Sequence, residues 1–154
     1  MTRDEIIKGI RKYFDIEELV CDHVLAKWGE KAWQFLDTTY LWALLVIRRD
    51  IIKKPMYCNG KTSHQKGLRC NRCQLVKEKN IPYLSAHVLG KAGDFTCPAY
   101  KATQMREMIK ANAELLPCKV RLEKWDSKGN EISWCHIDVI DSGASQPKVY
   151  EFKA

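Results

Sequence analysis

The chain has 154 residues, 45% hydrophobic and 29% charged, with a formal net charge of +7 at pH 7. That length supports one domain with its own core, and that balance excludes an intrinsically disordered chain. The longest apolar run, the eight residues Tyr40 to Ile47, is far short of the ~20 that a membrane-spanning helix requires, so no stable membrane insertion is expected.

Thr2 followed by Glu5 has capping-box spacing and predicts a helix over 3–13. This N-terminus lacks the apolar stretch and small-residue cleavage site of a secretory signal, so synthesis in a bacterial cytoplasm is expected. Phe14 to Cys21 breaks the helical pattern and reads as extended, and Glu30 to Leu36 as a short helix. Asp37 or Thr38 can cap the next helix, which runs through Tyr40–Ile51 and stops before Pro55. Apolar on nearly every face, it predicts the central core helix.

Residues 56–80 show no clear period, and Asn59-Gly60 and Gly67 mark turns. A glycine-punctuated segment from Tyr83 to Phe95 follows, then a helix over about 98–114 opened by Pro98. Cys118–Trp125, the turn Asp126–Asn130 and Glu131–Ile140 form the clearest hairpin in the chain, and Lys148–Phe152 suits a short edge strand. These elements predict a single α+β domain over 1–154, a small antiparallel sheet with helices packed on one side. Its parts are N-terminal helices (1–55), a site region (56–140) and a tail (141–154).

Alternation along the hairpin sorts its residues into two faces. Cys135, Ile137 and Val139 belong to the core, and Trp134, His136 and Asp138 to the opposite face. A two-residue loop at Lys128-Gly129 would place Arg121 opposite His136 and Glu123 opposite Trp134. A face holding an imidazole, two carboxylates, a guanidinium and an indole fits either solvated surface or the floor of an active site.

The segment Ser85-Ala-His87-Val-Leu-Gly90-Lys-Ala92-Gly-Asp94, taken with Trp134-Cys-His136 downstream, resembles the M15 peptidases. These are zinc D-alanyl-D-alanine carboxypeptidases and L-alanyl-D-glutamate endopeptidases, phage endolysins among them. The family pattern Ser-x-His-x-x-Gly-x-Ala-x-Asp is met at every fixed position, and the resemblance spans about residues 60–140. Hedgehog signalling domains share the same ligand plan.

The resemblance implies a catalytic Zn2+ held by His87, Asp94 and His136. Two imidazoles and a carboxylate leave a tetrahedral position for water, as catalytic zinc sites do. Gly90 and Ala92 would let the backbone pack closely beside the metal, and Ser85 would hold a ligand or its loop by hydrogen bonding. Many family members place an acid three positions before the last ligand, where this chain has Ser133. Asp138 is then the first candidate for the general base, Glu123 the second and Glu131 the third, and Asp138 has an alternative role in orienting His136. An arginine preceding the first ligand would stabilise charge on the scissile carbonyl oxygen. Arg69 fits that place and Arg72 competes.

The implied activity is hydrolysis of a peptidoglycan stem-peptide bond, in the setting of a phage or prophage lysin released to the cell wall by a holin. Two other readings compete. One is an inactive zinc-holding binding module, favoured by Ser133. The other is a basic nucleic-acid binder, which would explain the charge but not the His87–Asp94 segment. The basic residues are scattered apart from Arg48-Arg49 with Lys53-Lys54, so nucleic acid is not the expected partner.

Seven cysteines is an odd number for a disulfide framework. Cys21, Cys118 and Cys135 sit in apolar patterns and read as small core residues. Cys70-Asn-Arg-Cys73 with Cys58 and His64 has the residue types of a structural zinc knuckle. The signal for a second zinc there is weak, because no second Cys-x-x-Cys completes it.

Overall fold

The computed structural model describes residues 1–59 and 64–154. Gly60, expected in a turn beside Asn59, lies outside them. The architecture is α+β in a single small domain, and among the described residues no helix is long and apolar enough to cross a membrane.

The N-terminal third is a helical layer. Helix α1 (Arg3–Ile10) begins at the Thr2–Glu5 capping box, with Glu5 Oε2 accepting the Thr2 amide at 2.7 Å. The stretch expected to be extended instead forms a one-turn helix, α2 (Ile16–Leu19). Its cause is a second capping pair, in which Glu18 accepts the Asp15 amide at 3.0 Å. Helix α3 (Asp22–Trp28) had no counterpart among the sequence expectations, and the short helix at Glu30–Leu36 is a 3-10 segment over Gly29–Phe35. Arg3 ties α1 to that segment by donating to the carbonyls of Trp33 and Leu36 at 2.7 and 2.9 Å.

Helix α4 (Thr38–Val46) is capped by Asp37, whose Oδ1 accepts the amides of Thr39 and Tyr40 at 2.8 and 3.0 Å. It widens into a π-helical stretch over Ile47–Ile52 that ends at Lys53 in the left-handed region. Tyr40, Leu41, Ala43, Leu44, Leu45 and Ile47 are all buried, which makes this the central core helix expected of an all-apolar segment. After a single turn, α5 (Gln74–Lys77), the chain enters the sheet with β1 (Ala92–Phe95). Helix α6 (Ala102–Ala111) begins later than Pro98, which lies in a preceding turn. The remaining strands are β2 (Val120–Trp125), β3 (Cys135–Asp138) and β4 (Val149–Lys153).

The sheet order is β1-β3-β2-β4. The β1/β3 and β2/β3 pairs are antiparallel, but β4 runs parallel to β2, so the sheet is mixed rather than purely antiparallel. The hairpin register also differs from expectation: Arg121 pairs with Asp138, not with His136. Near the turn Trp125 bridges Glu131 and the Ile132 amide donates to Lys124 O at 3.0 Å. Between those contacts and Arg121–Asp138 the returning strand carries extra residues at 132–134, with a bend at 133–134. The displacement at Arg121 is by two residues, an even number, so His136 and Asp138 keep the face they were expected to share with Arg121 and Glu123.

Val120, Leu122, Cys135 and Ile137 pack into the core on the helix side. That side also holds Arg106 of α6, a fully buried arginine that pairs with Glu131 at 2.6 Å and donates to Trp134 O at 3.1 Å. Glu131 therefore serves the helix side, away from His136 as its strand position implied. The opposite face carries polar residues of β1, β2 and β3, which line a cleft.

Candidate metal centre

Asp94 and His136 are direct cross-strand partners on β1 and β3, which brings their side chains together on one face of the sheet. His87 arrives from a turn that precedes β1. Ser85 shapes that turn, its Oγ accepting the Val88 amide at 3.3 Å and its carbonyl the Leu89 amide at 3.1 Å. Of the two roles expected for Ser85, the hydrogen bonds are those of holding the loop. Gly90 has φ +68°, and a Cβ there would lie 2.1 Å from Phe35 O, so only glycine fits. Its close approach is to the helical layer rather than to the metal-ligand side chains: Gly90 O accepts the Asp37 amide at 2.9 Å, joining the turn to the cap of α4.

One donor atom each from His87, Asp94 and His136 lies within 4.8 Å of the others, and all three residues are buried. His87 Nδ1 faces Gly67 O at 2.9 Å. A carbonyl can only accept, so Nδ1 carries hydrogen and Nε2 is the atom available to a metal. Burial lowers the His87 pKa, outweighing Asp94, so the ring is held neutral. Its Nε2 lone pair then faces Asp94 Oδ1 across 3.5 Å, two electron-rich atoms whose natural bridge is a cation. His136 presents Nδ1 to the same Asp94 Oδ1 at 2.7 Å and Nε2 to Asp138 Oδ2 at 2.9 Å. Burial opposes its protonation, but hydrogen bonds to Asp138 and Asp94 prevail and raise its pKa to about 9. Burial would raise the Asp94 carboxyl, but His136 and His87 beside it hold it well below its usual range. The donor set fits a divalent ion taken by His87 Nε2, Asp94 and His136 Nδ1.

Asp138 is fully buried with both oxygens engaged. Arg121 donates to it through Nε and Nη2 at 2.8 and 3.1 Å, and the Ile140 amide donates at 2.9 Å. Burial alone would raise its pKa, but His136 and Arg121 lower it. Its geometry is that of a carboxylate orienting an imidazole.

Glu123 differs. Continuing the Arg121–Asp138 register sets it across from His136, it is half-buried, and it lines the cleft above the three donors. Burial, aided by the negative charges of Asp94 and Asp138, raises its pKa.

Arg69 reaches the site from the segment before α5. It donates to Asp94 Oδ2 at 3.3 Å, its side chain also bonds the Gln65 carbonyl, and its amide donates to His87 O at 3.2 Å. It thus braces two of the three donor residues while still lining the cleft. Arg72 is exposed and lies by a different cleft.

The cleft has a volume of about 400 Å³, and its walls include Tyr83, Trp134, Arg121 and Phe152. Arg121 stacks on Phe152, 4.5 Å from the ring centroid. Alternation had already put Arg121 on this face beside Asp138. Phe152 gave no such sign, because only the parallel pairing of β4 brings the C-terminal strand to the wall.

A second group of residues that can hold a metal is Cys21, His23, Cys70 and Cys73. It is not the expected set. Cys58 is buried elsewhere in the core, its thiol pKa raised by burial, and His64 pairs with Asp22 at 2.9 Å. Cys21, read from its apolar neighbours as a core residue, is buried but faces this cluster. No protein-family model, curated protein or solved structure matches the chain.

Proposed function

We propose that the protein is a zinc-dependent peptidase acting on peptidoglycan stem peptides, by hydrolysis at a D-alanyl-D-alanine or L-alanyl-D-glutamate type of bond. The observation that carries this reading is the convergence of His87, Asp94 and His136, with donor atoms within 4.8 Å of one another, on the floor of a cleft. Together with the Ser85–Asp94 and Trp134–His136 motifs, it supports a three-donor centre that leaves room for substrate. When bound there, zinc supplies Lewis-acid polarisation of the scissile carbonyl and a nucleophile at neutral pH.

The chain's own residues divide the remaining work. Asp138 and Arg121 hold the His136 ring so that Nδ1 faces the ion site. Arg69 holds Asp94, and the Gly67 carbonyl fixes the His87 tautomer. Glu123 is the general base of this reading: it borders the cleft, has a raised pKa and lacks the ion pair that ties up Asp138. It takes over the role expected of an acid at the position of Ser133. Arg121 and Arg69 add positive charge to the wall, suited to the carboxylates of a stem peptide.

The test is digestion of purified cell walls of several chemotypes by the zinc-loaded protein, with mass analysis of the fragments. Release of D-alanine or of a stem-peptide fragment, abolished by chelation and restored by zinc, is expected. No release from any chemotype with zinc bound overturns the hydrolase. That result, with one zinc still held by the three donors, favours the alternative of a zinc-holding binding module, the reading to which Ser133 lends weight.

A further inference from the structure

Two segments outside this centre bring cysteine and histidine side chains together. Cys21 precedes α3 and His23 lies in its first turn, while Cys70 and Cys73 flank the turn that leads into α5. One donor atom from each residue lies within 4.8 Å of the others. We propose that these four residues form a closed structural zinc site that clamps the 64–77 segment to the start of α3. This proposal stands apart from the peptidase reading.

The donor chemistry selects the ion. Three thiolates and one imidazole make a Cys3His set, which suits zinc and excludes calcium and magnesium, whose ligands are oxygens. Four protein donors complete a tetrahedron and leave no position for substrate. The spacing is already close to what such a site needs. Zinc bonds of about 2.3 Å to sulfur and 2.0–2.1 Å to nitrogen imply a sulfur–nitrogen edge of about 3.6 Å. Cys73 Sγ lies 3.9 Å from His23 Nδ1. Binding releases the thiol protons to solvent, so no redox partner is required.

The backbone is shaped for this role as well. Cys70-Asn71-Arg72-Cys73 closes into a turn in which the Cys73 amide donates to Cys70 O at 3.0 Å. The Arg72 amide points back at Cys70 Sγ from 3.4 Å, where it favours the thiolate. Leu68 and the residues before α3 are already laced together, the Leu68 amide donating to Leu19 O and the Cys21 amide to Leu68 O, both at 2.9 Å. An ion on the four donors adds a strong cross-link beside that lacing. The clamped segment contains Gly67, whose carbonyl fixes the His87 ring, and Arg69, which braces Asp94. The zinc would thus stabilise the support of the cleft without touching substrate.

Cobalt separates this site from the other by colour, because only thiolate ligands give an intense near-ultraviolet charge-transfer band. The full chain carrying His87→Ala and Asp94→Ala, reduced and loaded with Co2+, is expected to bind one equivalent and show that band. Elemental analysis should find one zinc fewer per chain in Cys70→Ser/Cys73→Ser than in the unaltered protein, whatever the other centre holds. A measurement on the unaltered protein guards against misfolding of the cysteine variants: titration with a mercurial thiol reagent should release one zinc in step with thiol modification. Cobalt-loaded protein without the charge-transfer band, or mercurial titration that releases no zinc, overturns the site.

Discussion

The two clusters of side chains that could hold a metal are built in opposite ways. The His87–Asp94–His136 centre rests on adjacent strands, with Asp94 and His136 paired across β1 and β3 and both rings fixed by hydrogen bonds from behind. It offers three donors and opens on a cleft. The Cys21–His23–Cys70–Cys73 cluster draws on a helix start and a turn about fifty residues apart in sequence and offers four donors. An open three-donor set on paired strands suits exchange of ligands during chemistry, whereas a closed four-donor set between a helix start and a distant turn suits cross-linking. Number of donors and the elements that carry them separate the two clusters.

The largest test of this contrast removes a donor from the open centre. If the proposed peptidase and the proposed cysteine site both hold, Asp94→Ala should abolish zinc binding at this centre and the wall-degrading activity while leaving the cysteine-bound equivalent; elemental analysis and digestion assays read both. Retained activity in that variant would break the distinction at once. Next in size is Glu123→Gln, expected to lower turnover by about 10²–10⁴-fold, the usual worth of a general base, with zinc content unchanged. Full activity in this variant would remove Glu123 from the role and return attention to Asp138. Asp138→Asn should weaken zinc affinity by about 10–100-fold, as loss of a carboxylate that orients a metal-ligating histidine does. Competition with a chelator measures this, and a loss of turnover at saturating zinc would argue for a direct part in the reaction.

Gly90→Ala tests the scaffold rather than the ligands. It places a side chain at positive φ against the Phe35 carbonyl, so a loss of more than about 1 kcal/mol is expected in chemical denaturation. The smallest effect belongs to the covered face of the sheet. Arg106 holds the Glu131 carboxyl below its ordinary value near 4.5, so the pair stabilises the fold above that pH. The contribution is lost as pH falls through the lowered value. Glu131→Gln should flatten the acid limb of a stability–pH profile and leave wall digestion unchanged, since this carboxylate faces away from the cleft.

The sequence made the polar face of the hairpin legible because alternation in a strand is a local property: His136 and Asp138 share one face of their strand, and Arg121 and Glu123 one face of theirs, whatever pairs with them. It did not make the register legible. The bend at 133–134 lies beside the place where the returning strand meets α6 through Arg106 and Glu131, a tertiary contact between residues 25 apart. The one-turn helix at Ile16–Leu19 was readable in principle from Asp15 and Glu18, the same capping pair that was recognised at Thr2 and Glu5. Helix α3 had no such marker, since Cys21 at its N-cap makes no side-chain cap hydrogen bond.

By itself the sequence determined the α+β class and the buried central helix, which rest on short-range patterns of period and capping; the three candidate metal ligands were named only through the resemblance carried by the Ser85–Asp94 and Trp134–His136 motifs. Only the tertiary structure decided that β4 runs parallel to β2 and brings Phe152 to the cleft, that Asp138 is pinned by Arg121 while Glu123 is not, and that Cys70 and Cys73 meet Cys21 and His23 rather than Cys58 and His64. Each depends on which distant segments pack together, and packing is set by the sum of buried contacts over the whole chain rather than by any local run of residues.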